Sequence, residues 1–311
     1  MKRNLFYIIS SVLLIIAAVV FFTTSRNLKS QPKILGASIN NFYSTKNIKI
    51  EPPPKRKDGI GDPMINANAA ILIYKSNKYP LYSLNGNASV SIASITKVMT
   101  AVVALDIYKL DDVITVDDEA AKVIPSKIYL KTGEQIRFED LLFGLLMNSG
   151  NDAAKAIARG RMPEDQFIAL MNKKSKELNL NDTEFKDVAG LDDGGHSCAR
   201  DVAILFAYAL DNPTFQKTIS TSEKDISSID GMITHKLKNS DRLTTGEIPI
   251  DGIIGGKTGY TPDAGHTLVT AAQRDGRTLI AVVLKTDEDT PSASAKETKK
   301  LLSWGFDSFE F

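Results

Sequence analysis

Apolar positions fall along this chain in three kinds of run. The first is unbroken. Leu5 to Phe22 carries no charge, and only Ser10 and Ser11 interrupt it. A helix of that length rises roughly 27 Å, enough to cross a bilayer core. It exceeds the apolar core of a cleavable signal peptide, about 7–15 residues, and Thr23-Thr24-Ser25 makes a mediocre cleavage site. The segment therefore predicts an uncleaved signal anchor over residues 1–23. Lys2 and Arg3 favour a cytoplasmic N-terminus, with Arg26, Lys29 and Lys33 weakening that bias. The expected location is the cell membrane, single-pass, with the rest of the chain on the extracytoplasmic face, or secreted if the segment is cleaved. Residues 24–63 are polar, rich in Asn, Lys and Ser, and hold no period; Pro52-Pro53-Pro54 lies among them. They read as a flexible tether reaching roughly 35 Å.

The second kind of run is short and strand-like. Ala69 to Tyr74 predicts a strand, with Tyr79 to Leu84 returning after a turn at Ser76-Asn77. Ile253-Ile254, His266 to Gln273 and Arg277 to Lys285 are also β-like, the last two joined through Asp275-Gly276, a hairpin signal. The third kind has helical spacing. Met99, Val102, Val103 and Ile107 mark a helix over Ile95–Tyr108. Further helices are expected over Phe138–Met147, Asp152–Ala158, Pro163–Leu178, Arg200–Leu210 and Ser292–Phe309, with a break at Asn148-Ser149-Gly150-Asn151. Strand pair, helical middle, antiparallel strands and terminal helix together give an α+β domain over residues 64–311.

Composition narrows the classes. Formal net charge is +1, with 43% hydrophobic and 24% charged residues. That excludes a disordered chain and argues against a nucleic-acid binder, which needs a strong basic field. A single cysteine, Cys198, rules out an intrachain disulfide and a Cys-based metal cluster. It reads as a small buried filler. His196, His235 and His266 are far apart in sequence and read as surface or loop residues, not metal ligands. No metal and no cofactor are expected.

Three short patterns carry candidate chemistry: Ser94-Ile95-Thr96-Lys97, Ser149-Gly150-Asn151 and Lys257-Thr258-Gly259. The chain also supplies decoys at Ser30–Lys33, Ser38–Asn40, Ser83–Asn85 and Lys131–Gly133. Order and context separate the sets. Two decoys lie in the polar linker, one precedes the first motif, and Lys131-Thr132-Gly133 reads as a turn. In the chosen set, Ser94 starts a helix and Lys97 follows on the same face, about one turn on. A lysine buried near other cations loses its proton readily and can act as a base. The backbone N–H of a serine at a helix start is free to face developing negative charge. Ser149 sits at a helix junction, where a second hydroxyl can relay a proton, and Asn151 can hold the lysine or a substrate carbonyl. Gly255-Gly256 before Lys257 lets a substrate backbone approach the strand, and Lys257 with Thr258 suits a carboxylate.

These motifs and their flanks resemble a known family. The flanks include Ala93 to Ala101, Asp140 to Leu146, Ser149 to Ala154, Ala199-Arg200-Asp201, Gly256 to Thr261 and Lys300 to Phe306. The chain resembles the low-molecular-weight penicillin-binding proteins, the serine-type D-alanyl-D-alanine carboxypeptidases of peptidase family S11. The resemblance covers roughly residues 64 to 310. It implies a β-lactamase/transpeptidase-like fold, an antiparallel sheet with packed helices plus a helical subdomain. It implies Ser94 as acylated nucleophile, Lys97 as its base and Ser149 as proton shuttle. Asn151, Lys257, Thr258, Gly259 and Tyr260 would bind substrate, with the N–H groups of Ser94 and Tyr260 forming the oxyanion hole. Peptidoglycan stem peptides would be substrates and β-lactams inhibitors. Two other readings stay open, a class A-like β-lactamase using Glu184 and a non-catalytic penicillin-binding sensor. Glu184-Phe185-Lys186-Asp187 lacks the Leu-Asn that follows the class A acid, so Glu184 reads as a surface residue. Departures from the family are Ile92 in place of proline, Cys198 where threonine is common, and Asn239-Ser240-Asp241-Arg242-Leu243-Thr244, a degraded Asn-x-Asn-x-Leu-Leu stretch. Many relatives carry a second β-rich domain with a C-terminal amphipathic anchor; here the N-terminal helix is expected to anchor the chain.

Overall fold

The computed structural model describes residues 52–311. The expected anchor and the tether as far as residue 51 lie outside them. Among the described residues, no helix is long and apolar enough to cross a membrane. In chain order the strands are β1 (Lys55–Arg56), β2 (Ala67–Tyr74), β3 (Tyr79–Leu84), β4 (Val113–Thr115), β5 (Gln135–Arg137), β6 (Glu223–Ser227), β7 (Thr234–Lys238), β8 (Ile253–Thr261), β9 (Gly265–Arg274), β10 (Arg277–Thr286) and β11 (Phe309–Glu310). The helices are α1 (Lys97–Ile107), α2 (Asp118–Lys122), α3 (Phe138–Leu146), α4 (Asn151–Arg159), α5 (Glu164–Glu177), α6 (Ala199–Ala209), α7 (Pro213–Ser220) and α8 (Ala293–Ser308), with a 3-10 turn at Ala93–Thr96 before α1.

Five antiparallel strands form the central sheet in the order β3-β2-β10-β9-β8. In β2 the run Ala69 to Ile73 is buried throughout. Its side chains alternate between two cores, as the period of a strand requires. Ala70 and Leu72 join Leu279, Ala281, Leu301 and Leu302 under α8, whereas Ala69, Ile71 and Ile73 join Ile280, Val282 and the helical core. A sheet covered on both faces gives continuous apolar strands rather than alternation, which is how β2 and β10 read in the sequence. α8 approaches the sheet closely at Gly305, where a Cβ would fall 2.4 Å from Leu72 Cδ2. On the other face, α6 packs against β10 and β2, and α1 carries a helical subdomain of α2 to α5.

The strands and long helices stand within a few residues of their predicted bounds, except β8, which runs on from Ile253-Ile254 to Thr261. The α+β reading holds. Several short elements do not follow from the sequence: the strand pairs β4–β5 and β6–β7, and helices α2 and α7. Three-residue strands carry no period to detect. α7 did have a start signal. Asn212 Oδ1 accepts from the amides of Thr214 and Phe215, and Pro213 occupies the first turn. The tether boundary also shifts. Residues 55–61, expected to be flexible, are fastened to the C-terminus. β1 pairs with β11, Lys57 N donates to Ser308 O at 2.9 Å, and Trp304 Nε1 donates to Gly61 O at 3.0 Å. Arg56 lies 4.7 Å over the Trp304 ring. These ties join segments far apart in sequence and leave no local signal. His235 is a further correction. Expected at the surface, it is buried on β7.

Candidate active site

The 3-10 turn before α1 places Ser94 at the floor of a cleft of about 670 Å³. The cleft is lined by Ser94, Ser126, Ser149, Ser240, Arg242, Thr258, Gly259, Tyr260, His266 and Asp289 among others. Ala93, just before the serine, is left-handed at φ +46°. A non-glycine residue there stores strain of order 1–3 kcal/mol, which the surroundings must hold. They do so with Gly190, whose absent Cβ would sit 1.9 Å from the Ala93 carbonyl oxygen.

Lys97 opens α1 and is buried beneath Ser94. Its Nζ donates to Ser94 Oγ at 2.7 Å and to Ala189 O at 2.7 Å. The Ala189 carbonyl is aimed by Asp187, whose carboxylate accepts the amides of Ala189, Gly190, Leu191 and Asp192. Burial, and then the neighbouring Lys257, hold the Lys97 ammonium well below its usual range, against a smaller opposing pull from Asp187 and Asp152. The amine is therefore a competent proton acceptor.

Ser149 stands at the junction of α3 and α4, also left-handed at φ +59°. Its hydroxyl accepts from Lys257 Nζ at 2.9 Å. Lys257, on β8, also donates to Thr258 O at 2.8 Å. Burial pushes Lys257 down to about 7, partly offset by Asp241. Asn151, at the start of α4, is buried, and its Oδ1 has no partner among the described residues. An unsatisfied buried acceptor of this kind costs about 1–3 kcal/mol until a donor arrives.

β8 forms one edge of the sheet, so its outer backbone groups face the cleft. Gly259 lies against the nucleophile turn, where a Cβ would meet Ile92 O at 2.9 Å and Ser94 N at 3.1 Å. Tyr260 is half exposed and stacks on His266, ring centroids 4.4 Å apart. All eight sequence-predicted residues, Ser94, Lys97, Ser149, Asn151, Lys257, Thr258, Gly259 and Tyr260, thus gather at or beneath one cleft. Glu184 does not. It is exposed, pairs with Lys186, and lies outside the lining of the cleft.

Sequence reasoning missed the role of the stretch read as degraded. Ser240 Oγ shares a 2.6 Å hydrogen bond with Thr258 Oγ1, and Arg242 adds a cation to the lining. Asp241 is buried, and its carboxylate accepts from Leu243 N and from the hydroxyls of Thr244 and Thr270. Burial pushes its carboxyl up while these donors and Lys257 pull it down. Cys198 is buried, and burial pushes its thiol up to about 11. It groups with Asp182 and Asp201, but Asp201 Oδ2 is already held by Asp182 N at 2.8 Å and Thr183 Oγ1 at 2.9 Å. That cluster is a hydrogen-bonded clamp.

The family model for D-alanyl-D-alanine carboxypeptidases, peptidase S11, matches residues 57–288. The D-alanyl-D-alanine carboxypeptidase DacF of Bacillus subtilis is 33% identical over 254 residues, covering 78% of this chain and 63% of that protein. DacD of Salmonella typhimurium is 37% identical over 263 residues, covering 79% and 64%. The chain therefore spans just under two thirds of the length of these relatives. Among solved structures, the Streptomyces K15 DD-transpeptidase superposes with a TM-score of 0.75 at 28% identity, covering 80% of this chain and 100% of that one. The D-alanyl-D-alanine carboxypeptidase from Mycobacterium tuberculosis gives 0.74 at 30% identity, covering 81% and 96%.

Proposed function

The chain belongs to the D-alanyl-D-alanine carboxypeptidase family, and on that premise we propose that it removes the terminal D-alanine from peptidoglycan stem peptides through an acyl-enzyme on Ser94. The observation that carries this is the 2.7 Å contact between Ser94 Oγ and a fully buried Lys97 amine.

The peptide end lies extended along the β8 edge. Its carboxylate meets Thr258 and Ser240 hydroxyls beside Lys257 and Arg242. Ser94 Oγ attacks the penultimate carbonyl carbon as Lys97 takes its proton. The carbonyl oxygen gains the electron pair and rests between the N–H groups of Ser94 and Tyr260, each such donor being worth on the order of 10²–10³ in rate. Collapse breaks the C–N bond. Ser149 gives its proton to the departing amine and is resupplied from Lys257. The proton held by Lys97 passes through Ser149 to Lys257, and the neutral amine then takes a proton from the water that attacks the ester and returns it to Ser94 Oγ as the acyl C–O bond breaks. General-base assistance contributes about 10²–10⁴.

A β-lactam presents an acyl group and a carboxylate in a similar arrangement, so penicillin acylates Ser94 and leaves slowly. Residues 1–23 anchor the enzyme, with the catalytic domain outside the cytoplasm. The test is release of D-alanine from diacetyl-Lys-D-Ala-D-Ala. Release by wild type and its loss in Ser94→Ala is the expected result. No release, with penicillin still bound covalently, would replace the hydrolase by a sensor.

A further inference from the structure

His235 and Glu134 lie outside the proposed chemistry, yet both are buried, with side chains 5% and 0% exposed. His235 Nδ1 is 2.8 Å from Ile128 O, which only accepts, so this nitrogen carries a proton. Its Nε2 is 2.7 Å from Glu134 Oε1. The other Glu134 oxygen accepts the Lys131 amide at 2.9 Å. Both ring nitrogens therefore face oxygens, an arrangement that an imidazolium satisfies. Without its second proton, the ring would turn a lone pair onto a buried carboxylate.

Ile128 is the point this pair holds, and Ile128 supports the Ser149 turn. Its amide is 3.0 Å from both Asp152 oxygens. Its side chain fills the space beside Gly144 and Gly150, whose added Cβ atoms would lie 2.6 Å and 3.2 Å from it. Two residues earlier, Ser126 O accepts the Asn151 amide at 2.9 Å, and Ser126 Oγ donates to Ser149 O at 3.3 Å. Ser149 is left-handed, and this loop holds its backbone while Lys257 holds its hydroxyl. Glu134, from the turn before β5, touches the ring; Asp152 of α4 lies at the Ile128 amide, and Lys224 of β6 follows one step along the same face of the hairpin.

We propose that His235 is a positioning residue: as an imidazolium on Glu134 it fixes the Ile128 carbonyl and, through it, Ser149-Gly150-Asn151, so that loss of its second proton loosens that turn and slows acylation of Ser94. The proposal rests on the reading of Ser94 as the acylated group, and its test separates the two.

The first readout needs no activity. The chain has three histidines, so nitrogen–proton correlation spectra of the full chain resolve the rings, with His235→Leu assigning the signal. In the folded protein, at the pH where acylation is fastest, His235 is expected to show both nitrogens protonated. An unprotonated Nε2 beside intact Glu134 overturns the proposal, whatever penicillin does. The second readout is the acylation rate of wild type and Glu134→Gln across pH. The glutamine amide can donate to a neutral ring in the same place, which removes the need for the proton. The ratio of variant to wild-type rate should rise about tenfold as pH passes the point where the spectrum shows proton loss. A flat ratio overturns the coupling, since lysine titration affects both proteins alike. His235→Leu should slow acylation on the order of 10–100-fold, the cost of displacing a catalytic group by about an ångström. If that variant does not fold, the spectrum and the Glu134→Gln ratio decide. If no form is acylated, the Ser94 reading fails while the spectrum still judges the pair.

Discussion

Lys97 and Lys257 place two amines in one dry pocket, where burial and then the Lys257 charge make a charge on Lys97 costly. The asymmetry between them sets the roles. Lys97 is held well below its usual range, whereas Lys257 sits at about 7 with Asp241 supporting its charge. Lys97→Met should lower acylation on the order of 10²–10⁴ without lowering the melting temperature, because a buried amine is replaced by an apolar chain of similar length. Rapid-mixing kinetics and thermal melts read the two halves of that statement. The pH dependence has a definite sign. As pH rises through about 7, free enzyme loses the Lys257 cation, so kcat/KM for a carboxylate-ended peptide falls. A bound carboxylate favours the charged amine, so kcat falls less. An equal fall in both would count against Lys257 as the carboxylate's partner. At this scale the groups that gather in the cleft were legible, because a serine at a helix start puts its hydroxyl within reach of a lysine three residues on. The groups that hold them were not. Nothing in the sequence marks Ala93 as left-handed, and Asp187 and Asp241 act through backbone amides and hydroxyls brought together only by folding.

Helices and strands set the distances among these groups, and two glycines show how differently they do so. Gly305 lets α8 lie against Leu72 and Leu279. Gly305→Val should overpack that contact, costing about 1–3 kcal/mol and lowering the melting temperature, while the folded fraction acylates at the wild-type rate. Gly259 instead lets β8 approach the nucleophile turn. Gly259→Ala puts a methyl group 2.6 Å from Thr267 Oγ1, 2.9 Å from Ile92 O and 3.1 Å from Ser94 N, so it should reduce acylation about 10²–10³-fold as well as lowering the melting temperature. Exchange of these outcomes would contradict the packing described. The long elements could be read because their apolar residues repeat, as in β2, β10 and α1. The hairpin β6–β7 could not, since its five-residue strands are largely polar outside, yet it supplies His235. The break between α3 and α4 was visible at Asn148 to Asn151, and the reason it bends as it does, Ile128 under Gly150, was not.

For the whole molecule, the described residues make one body closed by its own ends, with β1 paired to β11. A tether ending at residue 63 was the natural reading of a polar, proline-bearing stretch, and it missed that Arg56 and Gly61 find Trp304. With residues 1–23 as anchor, the full chain should sediment with membranes at high pH and high salt, whereas a chain beginning at residue 52 should stay in solution. Release of the full chain by salt alone would contradict the anchor. The catalytic claim stands apart from that question. Its most direct test is the intact mass of the protein after brief exposure to penicillin. One added acyl group on wild type, mapped to the peptide bearing Ser94 and missing from Ser94→Ala, is the predicted result. An unmodified wild type, or the same adduct on the alanine variant, would contradict the account.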